Sequence, residues 1–77
     1  MWVCIKSRNE LECYNMEKVL LVRIEEAQST HEWQVIFVMG GDIDWDNEIV
    51  VASVDSEEKA QEIANEIMKA VGGTYSF

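Results

Sequence analysis

Two segments of this chain are apolar on both sides. Between Trp33 and Met39 only Gln34 is polar, and between Val19 and Ile24 only Arg23 is. Both segments are rich in β-branched and aromatic residues, which favour strands. Successive strand side chains point to opposite faces, so such strands need apolar cover on two sides. Along the first, Leu20, Val22 and Ile24 share one face, with Val19 and Leu21 on the other. Along the second, Trp33, Val35, Phe37 and Met39 alternate with Ile36 and Val38. A chain of 77 residues with one helical segment can cover one sheet face with that helix. The other face then calls for a partner or a second copy, or for the N-terminal hairpin or the Tyr75-Ser76-Phe77 tail folding over it.

The remaining segments complete a sheet. Trp2 to Lys6 and Leu11 to Tyr14 form a hairpin around Ser7-Arg8-Asn9-Glu10. Lys18 to Glu26 and Glu32 to Met39 are joined by polar Gln28-Ser29-Thr30-His31. Gly40-Gly41 ends the fourth strand, and Glu48 to Val54 is the fifth. There Ile49 and Val51 fall on one side, and Val50, Ala52 and Val54 on the other. Next, Ala60, Ile63, Ala64, Ile67, Met68 and Val71 recur at helical spacing, with Glu57, Glu58, Gln61, Glu62, Asn65, Glu66 and Lys69 opposite them. Asp55 is placed to cap this helix, with Glu58 three residues on, and Gly72-Gly73 ends it. From Ser56 to Val71 it would run about 24 Å, enough to cross strands of about 17 to 23 Å. The expectation is one α+β domain over residues 1–77: an antiparallel four- to five-stranded sheet with one C-terminal helix packed across one face.

Charge narrows the partners. Fifteen Asp and Glu against six Lys and Arg give a net charge of -9. Phosphate binding needs cations, so direct nucleic-acid contact and anionic membrane surfaces are disfavoured. No apolar run approaches the ~20 residues of a membrane helix, and Met1-Trp2-Val3 opens without the basic n-region of a signal peptide. A cytoplasmic setting is the expectation. So short a chain also leaves little room for a pocket of about 300 to 1,000 Å³ within one subunit.

Candidate chemistry is sparse. Asp42, Asp44 and Asp46 alternate as at the start of an EF-hand loop. Counting from Asp42, however, Asn47 stands where glycine is needed and Ser53 where glutamate is needed. No metal or cofactor site is expected. Trp45 amid these carboxylates suits a recognition loop, because tryptophan is enriched at interface hot spots and acidic neighbours steer toward a basic surface. The candidate binding residues are Asp42, Asp44, Trp45, Asp46 and Glu48 of the loop, and Glu62 and Glu66 of the helix. If the helix runs back along the fifth strand, loop and helix merge into one negative surface; the alternative is a solvated face that keeps the protein dissolved.

Cys4 and Cys13 fall opposite each other if the hairpin turns on Arg8-Asn9, close enough for a disulfide. The cytoplasmic expectation favours two free thiols buried on the helix side with Trp2 and Leu11. His31, the only histidine, reads as a surface residue without the partner that acid–base catalysis needs. No serine sits in a nucleophile elbow or phosphate loop. Catalysis is not expected.

The pattern Trp2-Val3, Leu11 to Tyr14 and Ser56-Glu57-Glu58-Lys59-Ala60 resembles a loose group of small bacterial and phage proteins built as a meander with a C-terminal helix. In size, charge and lack of motifs the chain is also similar, in class only, to small acidic phage inhibitors of host defence enzymes, including anti-CRISPR proteins. The expectation is a non-enzymatic protein-binding module, a phage-type inhibitor of a nucleic-acid-handling defence enzyme acting through an acidic surface. The alternatives are a housekeeping or structural homodimer, or a small-ligand binder whose pocket forms between subunits.

Overall fold

A computed structural model describes residues 1–7, 10–40 and 47–76. Its described residues form β1 (Trp2–Ser7), β2 (Glu10–Asn15), a 3-10 turn (Met16–Lys18), β3 (Val19–Glu26), β4 (Trp33–Met39), β5 (Asn47–Val54), α1 (Glu57–Lys69) and β6 (Thr74–Ser76). The α+β class is as expected; the single four- to five-stranded sheet is not. The strands divide into two three-stranded sheets, ordered β2-β1-β6 and β3-β4-β5. β6 lies parallel to β1, so the first sheet is mixed rather than antiparallel.

The ends of α1 set where β6 joins the first sheet. Ser56 takes extended dihedrals and its Oγ accepts from Lys59 N at 3.2 Å, so Ser56, not Asp55, is the N-cap. At the other end Gly72 adopts φ +97°, a region that suits glycine. The turned chain then meets β1: Gly72 N donates to Trp2 O at 2.6 Å and Cys4 N to Gly73 O at 3.0 Å. Thr74–Ser76 thereby becomes a third strand beside β1.

The first sheet does not cover the outward face of the second. Its Val3 and Ile5 pack with Phe37 and Ile67 in one core cluster, joined by Tyr14 and Tyr75. Tyr14 meets Phe37 edge-on, with ring centroids 5.3 Å apart. A second cluster joins Val35 and Ala52 to Ala60 and Ala64 of α1. Helix and hairpin therefore share one face of β3-β4-β5, and the expectation that the hairpin or tail folds over the other face is not met.

Two irregularities reassign side chains. β4 alternates as expected, with Phe37 and Val35 buried in the clusters. In β3 the register shifts between Val19 and Leu21, so Val19 joins Val22 on the core side and Leu21 faces outward. In β5 a shift opposite Val35 and Ile36 separates Val50 from Ala52. A bulge inserts one residue and reverses the face of everything beyond it.

Candidate protein-binding surfaces

The solvent side of α1 is acidic, as its periodicity requires. Glu57, Glu58, Glu62 and Glu66 are all exposed. The two lysines of the helix are already engaged: Lys59 Nζ lies 3.1 Å from Asp55 Oδ1, and Lys69 Nζ 3.5 Å from Glu66 Oε1. Glu62 and Glu66 also act on Tyr75, whose phenol pKa is raised by burial first and by these two carboxylates next.

Glu48 stands elsewhere. It is opposite Val38 on the outward face of β4 and pairs with Arg23 of β3. The β3-β4-β5 sheet separates it from Glu62 and Glu66, which belong to the covered side. Asp42, Asp44, Trp45 and Asp46 lie outside the described residues. Of the candidate site residues, the structure therefore brings Glu62 and Glu66 together and sets Glu48 apart.

A third surface went unrecognised in the sequence. An open groove of about 580 Å³ runs between β3 and α1, lined by Leu20, Leu21, Val22, Asn65 and Met68 among others. Space of this size within one subunit was not expected. Leu20 is 68% exposed and Met68 50%, so this is apolar surface in contact with solvent. Alternation groups Leu20 with Val22 and Ile24, but the bulge beside it interrupts the alternation there. The uninterrupted run Val19-Leu20-Leu21-Val22 was the available signal, since a regular strand with one wet face alternates.

Cys4 and Cys13 are joined in a disulfide, contrary to the expected free thiols. The pairing geometry was legible: Ser7 faces Glu10, leaving a two-residue connection and setting Cys4 directly opposite Cys13. The expected face was not. Val3 and Ile5 take the core side, so Cys13 is exposed, as are Trp2 at 56% and Leu11 at 60%. His31 is exposed at a turn with φ +58°, its Nδ1 3.9 Å from Glu26 Oε2. Among the described residues no three His, Cys, Asp or Glu side chains gather as a metal site would need, and no helix is long and apolar enough to cross a membrane.

No protein family, curated protein or solved structure matches the chain.

Proposed function

We propose that the chain is a non-enzymatic protein-binding module that presents the acidic face of α1 to a basic surface on its partner. The observation that supports this is the set of exposed carboxylates Glu57, Glu58, Glu62 and Glu66, with Lys59 and Lys69 held in ion pairs at the rim. Such a face raises the rate of encounter with a cationic groove more than it raises affinity. Enzymes that handle nucleic acid carry grooves of that kind for phosphates. A phage-type inhibitor that sets helix carboxylates where phosphates would lie is the narrower form of this reading.

The test is capture of a defined partner. A host nucleic-acid-handling enzyme should bind the wild-type chain at low salt and release it as ionic strength rises, because exposed charges are screened beyond about 8 Å at physiological salt. The pair Glu62→Gln and Glu66→Gln should slow association. Binding indifferent to both salt and this double substitution overturns the reading.

A further inference from the structure

We infer that β3 is a homodimer edge, pairing antiparallel with β3 of a second copy to join two three-stranded sheets into one of six strands. The inference goes beyond the acidic-face reading and uses a different surface. β3 is an outer strand: among the described residues it pairs with β4 alone. An edge strand offers unpaired N–H and C=O groups to any extended chain that fits, and natural proteins usually blunt it with charge or proline. β3 has no proline; its bulge lies between Val19 and Leu21 and its charges from Arg23 onward, so Leu20-Leu21-Val22 remains an apolar stretch that borders the groove. The other outer strand, β5, is approached by the hairpin: a cleft of about 140 Å³ is lined by Ile5, Glu10, Tyr14 and Val50.

The occupant is indicated by charge along the strand. β3 is preceded by Lys18 and ends in Glu25-Glu26. Turned antiparallel about Val22, two copies set Lys18 of each beside Glu26 of the other, with Val19 to Val22 and Ile24 between, while Arg23 and Glu25 remain paired within each chain. The two ends of this strand are thus complementary to each other, as an isologous two-fold contact requires. Among the described residues Lys18 makes no ion pair within its own chain, and it is exposed. The two-fold axis stands perpendicular to the joined sheet, so both helices lie on one side and the two grooves meet. Leu20 and Met68 of both copies then lose contact with water. Glu62 and Glu66 stay outside the contact, since Asn65 and Met68, and not these two, line the groove.

The experiment is sedimentation of the whole chain over a concentration series, with its disulfide intact. The expected species has twice the 8.9 kDa chain mass. Leu20→Glu should yield a monomer with an unchanged circular dichroism spectrum. Lys18→Glu should weaken the dimer by roughly tenfold, and Lys18→Glu combined with Glu26→Lys should restore it, because both symmetry-related pairs reverse together. In hydrogen exchange, β3 amides should gain protection as concentration rises. A wild-type monomer at about 100 μM, where a contact of standard size is expected to be populated, overturns the inference and leaves the groove to an unlike partner or a small apolar ligand. A dimer that survives both Leu20→Glu and Lys18→Glu overturns it equally, since the contact then lies elsewhere.

Discussion

Arg23 and Glu48 form an ion pair that reaches across the outward face of the central strand. Arg23 stands opposite Ile36 from β3, and Glu48 stands opposite Val38 from β5. The side chains meet over β4, where Ile36 and Val38 are nearly inaccessible although no helix covers them. Arg23 is held from a second side by Glu25, whose Oε2 lies 3.2 Å from Nε. Its guanidinium pKa is raised, chiefly by the hydrogen bond to Glu48. A long aliphatic stem with a paired head covers apolar surface that would otherwise need another layer. The face that the sequence presented as requiring a partner is thus partly closed by the chain's own side chains.

Removing that cover tests the stem against the charge. Arg23→Ala should lower the urea midpoint, while Arg23→Met, which keeps the apolar length, should recover most of the loss. Chemical denaturation of the two variants decides it. Equal losses would mean that the ion pair, not the stem, protects Ile36 and Val38.

The helix cap offers a one-residue discrimination. Ser56→Ala removes the acceptor for Lys59 N and should cost about 1 kcal/mol. Asp55→Ala removes only an exposed ion pair with Lys59 and should cost much less. Thermal melts of the two variants side by side suffice.

How much of this was legible follows from range and regularity. The helix could be read because Ala60, Ala64 and Ile67 repeat at a period that no other element shares, and all three are buried. Asp55 and Ser56 are both good caps, so pattern alone could not choose between neighbours. The faces of β4 were right because that strand is regular. Val19 and Val50 were misplaced because bulges are set by the partner strand's register rather than by local sequence. β6 was missed because three residues carry no period, and only the hydrogen bonds of Gly72 and Gly73 to β1 make Thr74–Ser76 a strand. The exposure of Glu62 and Glu66 followed from the helical wheel. The groove did not, since it arises where α1 lies along a bulged strand.

The bridge between Cys4 and Cys13 links residues nine apart in sequence. Closing a loop of about ten residues removes unfolded-state entropy worth roughly 2 to 3 kcal/mol. Dithiothreitol should therefore lower the melting temperature of the wild-type chain and leave that of Cys4→Ser/Cys13→Ser unmoved. Cys13 is exposed, so reduction should not require prior unfolding. A wild-type melt indifferent to reductant would show that the bridge contributes no stability.

Alkaline pH should destabilise the fold through its tyrosines. Tyr14 has its phenol pKa raised well above 10.0, by burial first and then by the hydrogen bond it donates to Glu12; Tyr75 is raised by burial first and then by Glu66 and Glu62. In the unfolded chain both phenols ionise near 10, whereas the folded chain keeps them neutral to higher pH. The folded state thus holds more protons above pH 10, and stability must fall as pH rises through that range. Below about pH 9 both states are protonated at these sites and the contribution is constant. Denaturation midpoints at pH 9 and pH 11 should differ, and Tyr14→Phe should shrink the difference while preserving the edge-on contact with Phe37. In the folded wild type, absorbance near 295 nm should show tyrosine ionisation beginning above the usual range. Normal titration of both phenols with the fold intact would contradict the packing of Tyr14 against Phe37.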